Sequence, residues 1–203
     1  RQINEFYLSS YPVARHAAAL APTALARGVA ALAAEGLHSD QRVHRSAITW
    51  AERGYRVVLV GRSHPNPAPL DRPYETLRFR CLFNSGPLFY LEFQIRLWLA
   101  LRTLKPDVYL ANDLDTLGPN AWWAMRRAKP LVYDSHEYFT EVPELISRPK
   151  VKAVWERIER FIFPKLKYVS TVNQSIAEKY REKYGGPLKV VRNVSPLWKP
   201  AHI

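Results

Sequence analysis

From Leu104 to Glu144 the chain reads LKPDVYLANDLDTLGPNAWWAMRRAKPLVYDSHEYFTEVPE. The apolar run Asp107 to Ala111 leads into a polar turn and a helical stretch. A second apolar run, Leu131 to Tyr133, leads into a second polar turn. Strands joined through a helix lie parallel, so both turns fall on one edge of one sheet, where open α/β sheets bind ligands. Asn112, Asp113 and Asp115 belong to the first turn; Asp134, Ser135, His136 and Glu137 belong to the second.

The remaining segments supply the rest of such a sheet. Ser39 or Asp40 can cap a helix in which Val43, Ala47, Trp50 and Ala51 recur at helical spacing, with Gly54 as its stop. Tyr55 to Gly61 is a β-branched run typical of a buried parallel strand. His64 to Pro69 is proline-rich loop, and Tyr74 to Cys81 alternates as an edge strand would. Gly86-Pro87 opens a long helix ended by Lys105-Pro106, with Leu88, Leu91, Ile95, Trp98 and Leu99 sharing one face. In the next helix Thr116 is the expected cap, Pro119 falls in the first turn, and Leu117, Ala121, Ala124 and Ala128 line one side.

Further on, Val151, Val154, Trp155, Ile158, Phe161 and Ile162 form an amphipathic helix with Glu156, Arg157, Glu159 and Arg160 opposite. Tyr168 to Val172 is a strand, followed by a helix capped by Asn173 or by a Ser175/Glu178 box and closed at Gly185-Gly186-Pro187. Leu188 to Val191 is the last strand. Residues 1–37 are alanine-rich, with short helices expected over Ala17 to Ala26 and Val29 to Glu35. Strands alternating with helices define an α/β, Rossmann-like, mostly parallel sheet with helices on both faces.

The 203 residues suit one large domain, or one domain and part of another. A net charge of +12 calls for an acidic partner: nucleic acid, anionic lipid head groups or a phosphorylated substrate. The basic residues are scattered rather than interleaved with aromatics on one element, which argues against nucleic acid and leaves a solvated basic surface as the plain alternative. One cysteine, Cys81, excludes a disulfide framework and fits a reducing compartment, hence the cytoplasm. No G-x-G-x-x-G, P-loop or G-x-S-x-G motif is present. The six histidines are scattered and Cys81 has no neighbouring ligand, so neither a metal nor a bound cofactor is expected.

His136 and Glu137 form the sharpest chemical pair. At the end of a buried strand the imidazole could bind or deprotonate a hydroxyl while the glutamate orients it; the plain alternative is that both cap the loop. Asn112 and Asp113 would face the same crevice, Asp115 reads as a turn former, and Asp134 as a residue that holds the turn. Arg42 and His44 sit in the first turn of their helix, where Arg42 could meet a phosphate or stand as a surface charge.

DQRVHRSAITWAERGYRVVLVGR (Asp40 to Arg62), PDVYLANDLDTLGP (Pro106 to Pro119), LVYDSHEYFTEVPEL (Leu131 to Leu145), TVNQSIAEKYREKYG (Thr171 to Gly185) and VVRNVS (Val190 to Ser195) resemble the amino-terminal domain of family 4-like glycosyltransferases. The resemblance implies half of a two-domain GT-B enzyme that moves a sugar from a nucleotide-sugar, its co-substrate, to a glycan or lipid-linked acceptor with retention. It implies that His136 and Glu137 are catalytic, that Asn112 and Asp113 bind the acceptor, and that Arg42 lies at the phosphate or interdomain cleft. Residues 39–196 form that domain, 197–203 begin the interdomain linker, and the carboxy-terminal donor domain is not in the sequence, so the fragment is expected to be inactive. Peripheral contact with the inner face of the membrane is a further expectation.

Where the family has its first strand this chain has GVAALAAEGLHS, poor in strand formers. Either Val29 to Ala34 is pressed into the sheet, or the atypical segment 1–38 is foreign to the fold. Two other readings stand beside the enzyme: a non-enzymatic basic module on anionic membrane or RNA, and a truncated product that folds poorly.

Overall fold

A computed structural model of the chain describes residues 28–33, 41–63, 74–186 and 188–194. The helix expected over Ala17 to Ala26, the caps Ser39 and Asp40, the loop His64 to Pro69 and the segment 197–203 lie outside them. The elements are β1 (Gly28–Ala33), α1 (Gln41–Glu52), β2 (Arg56–Arg62), β3 (Glu75–Phe79), α2 (Gly86–Leu104), β4 (Val108–Asn112), α3 (Leu114–Arg126) and β5 (Leu131–Ser135). They continue as α4 (Pro143–Ile146), α5 (Pro149–Ile162), β6 (Tyr168–Thr171), α6 (Gln174–Tyr184) and β7 (Lys189–Val190).

The strands form one seven-stranded sheet in the order β3-β2-β1-β4-β5-β6-β7, with every pair parallel. Every residue of β4 and β5 is buried, which is why these segments read as unbroken apolar runs. Val58, Val60, Tyr109, Ala111, Tyr133 and Val169 share one core with α2, α3, α5 and α6. Strand side chains alternate between faces, so Val57, Leu59, Leu110, Val132 and Asp134 face the other side, where Arg42 of α1 reaches Asp134.

β1 lies at the centre of the sheet, paired to β2 and β4. Of the two alternatives for this place, the structure therefore takes the strand, in a stretch where alanine content had suggested a helix. Helix propensity is a weak prior, and β2 and β4 each need hydrogen-bond partners along the edge that β1 fills. The sheet thus includes residues of the segment set apart as 1–38.

Two helices differ from expectation in the face they bury. α2 packs Phe89, Phe93, Leu97 and Leu101 inward, while Leu88, Leu91, Ile95 and Leu99 are exposed. Both rows are apolar, so periodicity alone does not choose between them, and the row that begins with two aromatics occupies the core. α5 buries Trp155, Ile162 and also Glu159, a residue expected on the polar face. Glu159 is held there by Lys183 Nζ at 2.9 Å and Tyr184 Oη at 2.7 Å, while Val154 and Phe161 lie outside.

α3 differs at its start. Asp113, not Thr116, occupies the N-cap position. The Thr116 hydroxyl lies one turn inside and donates to the carbonyls of Asn112 and Asp113 at 2.7 and 3.1 Å. Pro119 sits in the helix interior rather than the first turn. Its missing N–H leaves the Asp115 carbonyl without its helical donor, and Gln94 Nε2 of α2 donates to that oxygen instead. At α6 the capping alternatives resolve to Asn173, whose Oδ1 accepts the Ile176 N–H at 2.9 Å.

Candidate functional site

The register pairs Asn112 with Asp134 and Asp134 with Ser170, so the carboxyl ends of β4, β5 and β6 stand side by side at one edge of the sheet. The chain leaves β4 through Asp113, whose φ of 60° and ψ of 169° lie in a region normally left to glycine; such a backbone costs about 1–3 kcal/mol. Three contacts hold it there. The Asp113 N–H donates to the Asp134 carbonyl at 3.0 Å, its Oδ1 accepts the His136 backbone N–H at 2.6 Å, and its Oδ2 lies 3.3 Å from His136 Nδ1.

His136 therefore has carboxylates on both sides. Its Nε2 is 3.4 Å from Asp134 Oδ2, and 17% of the side chain remains exposed. Asp134 is fully buried, and its carboxylate accepts from Arg42 Nε at 2.7 Å, Arg42 Nη2 at 2.6 Å and Ser170 Oγ at 2.6 Å. Arg42 Nη1 donates in turn to the Val191 carbonyl at 2.6 Å. An Arg–carboxylate fork buried this deeply fixes orientation at both ends.

The two aspartates are tuned apart. Burial is the largest influence on Asp113 and pushes its carboxyl up to about 6, helped by the charges of Asp134 and Glu137 and opposed by His136. Burial also works against the ionised form of Asp134, but the neighbouring His136 and the Arg42 fork hold that carboxyl well below the usual range. Asp134 is thus a fixed negative charge, while Asp113 sits near its titration point in mildly acidic solution.

Arg42, Asp113 and His136 are brought together, with Asp134 as the link. Arg42, expected as a phosphate contact at the cleft mouth, is 2% exposed and its guanidinium is turned inward on Asp134 and Val191. Asn112 is buried beneath the edge rather than open on it. Glu137 lies exposed on the rim, with its backbone carbonyl accepting Ser135 Oγ at 2.7 Å; Asp113 and Asp134 orient the imidazole in its place. Reading the sequence understated Asp134 and missed Ser170. The available signal was a charged residue inside an otherwise apolar strand, which must find a partner when buried. Among the described residues no group of histidine, cysteine, aspartate and glutamate side chains is arranged to hold a metal ion.

The family model described as Glycosyltransferase Family 4 matches residues 40–194. No curated protein matches the sequence. Among solved structures, Phytolacca americana UGT2 complexed with UDP-2fluoro-glucose and pterostilbene is similar at a TM-score of 0.56 and 10% identity, over 89% of this chain and 56% of that one. Sucrose-phosphate synthase from Thermosynechococcus elongatus is similar at 0.53 and 13% identity, over 82% of this chain and 48% of that one. A second sucrose-phosphate synthase structure from the same organism is matched at 0.51 and 14% identity, over 83% of this chain and 90% of that one. The chain spans about half the length of the first structures it matches, and its fold is that of GT-B glycosyltransferases.

Proposed function

The chain belongs to glycosyltransferase family 4, and from that premise we propose that its sheet edge is the acceptor-side wall of a sugar-transfer cleft. The observation that carries this reading is the placement of His136 between Asp113 and Asp134, 3.3 and 3.4 Å from their carboxylate oxygens, at the carboxyl end of β5. An imidazole and a partly exposed carboxylate side by side offer a sugar hydroxyl both kinds of hydrogen-bonding partner. The transfer itself makes a bond from the acceptor oxygen to the anomeric carbon and breaks that carbon's bond to the donor phosphate oxygen, and the acceptor's hydroxyl proton leaves with the departing phosphate.

In this reading Asp113 accepts a hydrogen bond from the acceptor hydroxyl and His136 contacts the reacting sugar. Glu137, on the rim, meets the acceptor or the facing half of the cleft. Asn112 supports the edge from below. Arg42 acts through Asp134 as a positioning residue, because its guanidinium has no course to a phosphate without giving up a buried ion pair. The donor is a nucleotide-sugar, in keeping with the UDP-2fluoro-glucose named with UGT2. The acceptor is a glycan or a lipid-linked sugar, and the anomeric configuration is retained. The donor-binding wall comes from outside these 203 residues. Family membership favours this reading over a non-enzymatic basic module.

The test is an assay of sugar transfer from a set of nucleotide-sugars, by the chain alone and mixed with a family 4 donor domain, with the product anomer read by NMR. Transfer with retention only in the mixture is expected. Turnover by the chain alone would overturn the half-cleft reading, and an inverted product would overturn retention.

A further inference from the structure

The strongest unexplained surface lies on the outer side of α2 and α3. Leu88, Leu91, Ile95 and Leu99 run along α2 at spacings of three and four residues, and α3 exposes Trp122 and Met125; each is between 47% and 58% exposed. The two helices pack against each other, and Trp123 Nε1 donates to the Trp98 carbonyl at 2.9 Å. Between them is a groove of about 390 Å³ with Ile95, Pro119 and Trp122 on its walls. An apolar stripe this long is uncommon on a surface that faces only water.

The stripe has a charged end. One helical turn beyond Leu99 comes exposed Arg102, and then Lys105. Beside Met125 a second pocket, of about 420 Å³, is lined by Lys129, Lys165 and Lys167. Two of these lysines have neighbours: Lys129 Nζ is 2.9 Å from Asp107 Oδ1, and Lys165 Nζ lies 3.3 Å from the centre of the exposed Phe161 ring. None of the described residues lining that pocket is a carboxylate, and the whole chain carries a net charge of +12. These residues directly precede β4, β5 and β6, so they lie at the amino edge of the sheet, opposite His136.

We infer that this face docks on an anionic lipid surface, the α2–α3 stripe entering the head-group layer and the lysine pocket taking lipid phosphates. An apolar stripe joined to a cationic rim is the composition of interfacial binding, and an exposed tryptophan suits the boundary layer. Among the described residues no helix is long and apolar enough to cross a membrane, so the contact is peripheral. A second copy of the chain fits less well, because a two-fold interface centred here would set the same cationic rim against itself.

Vesicle flotation of the 203-residue chain tests this, with phosphatidylcholine alone and with phosphatidylcholine containing phosphatidylglycerol. Binding only to the anionic vesicles is expected, weakening steeply with salt. Leu99→Glu with Trp122→Glu, and separately Lys165→Glu with Lys167→Glu, should each weaken it on the order of tenfold or more. Melting temperatures close to the parent's establish that these surface variants are folded. His136→Asn should leave vesicle binding unchanged, so failure here and failure of the sugar-transfer reading are separate results. Absence of binding to anionic vesicles, binding indifferent to both pairs of substitutions, or a dimer that Trp122→Glu dissolves would each overturn the inference.

Discussion

Arg42 donates Nε and Nη2 to the two carboxylate oxygens of Asp134, 92 residues further along the chain, at 2.7 and 2.6 Å. The pair is buried and joins the first turn of α1 to the end of β5. Because Asp134 is also the inner neighbour of His136, the same contact that holds the sheet edge together sets the position of the imidazole.

Removing one member of a buried ion pair leaves the other charged and without compensation, which typically costs about 3–5 kcal/mol. Arg42→Met should therefore destabilise the chain by about that much in urea unfolding, with Asp134→Asn comparable. Arg42→Lys should recover only part of the loss, since an ammonium cannot reproduce the fork. A fully stable Arg42→Met protein would mean that Arg42 is a surface charge and not the anchor of Asp134.

Asp113 makes stability depend on pH in a defined direction. Its folded pKa, about 6, lies above the ordinary 3.8. Below 3.8 both folded and unfolded forms hold the proton, so the group is neutral towards stability there. Between 3.8 and about 6 the unfolded chain ionises first, and the contribution of Asp113 to stability falls; above 6 it is constant. The difference in unfolding free energy between the parent and Asp113→Asn should therefore change across that window and level off above it. A difference independent of pH would mean that burial does not control this carboxyl.

Gln94 and Pro119 offer a test of local accounting. Gln94→Ala strips the Asp115 carbonyl of the donor that replaces the missing proline N–H, a loss of about 1–3 kcal/mol. Pro119→Ala restores a helical donor to that carbonyl, so in its background Gln94→Ala should cost clearly less. Equal costs in both backgrounds, measured by thermal or urea unfolding, would show that the side chain does not serve the backbone.

The alternation of strands and helices, and with it most of the parallel sheet, was legible because most of its strands are short apolar runs and helix ends carry glycine and proline. The two polar turns were legible for the same reason, since both follow such runs. What could not be read was set by long-range contact. Both rows of α2 are apolar, so only the position of the sheet decides that Phe89 and Phe93 go inside. Glu159 reads as a surface residue until Lys183 and Tyr184 are brought to it from another helix. The central strand is hidden by alanines whose local preference is helical. Arg42 carries no local sign that its partner lies on β5. Asp134 does carry one, a carboxylate amid apolar neighbours, but the same residue type is also what a turn requires.

Under the proposed function, the edge at His136 contacts the sugar being transferred. The most direct measurement is the rate of transfer from a nucleotide-sugar by the chain combined with a family 4 donor domain, compared between the parent and His136→Asn. A fall on the order of a hundredfold or more, with the melting temperature nearly unchanged, is the predicted result. Transfer at the parent rate by a folded His136→Asn protein would contradict that contact.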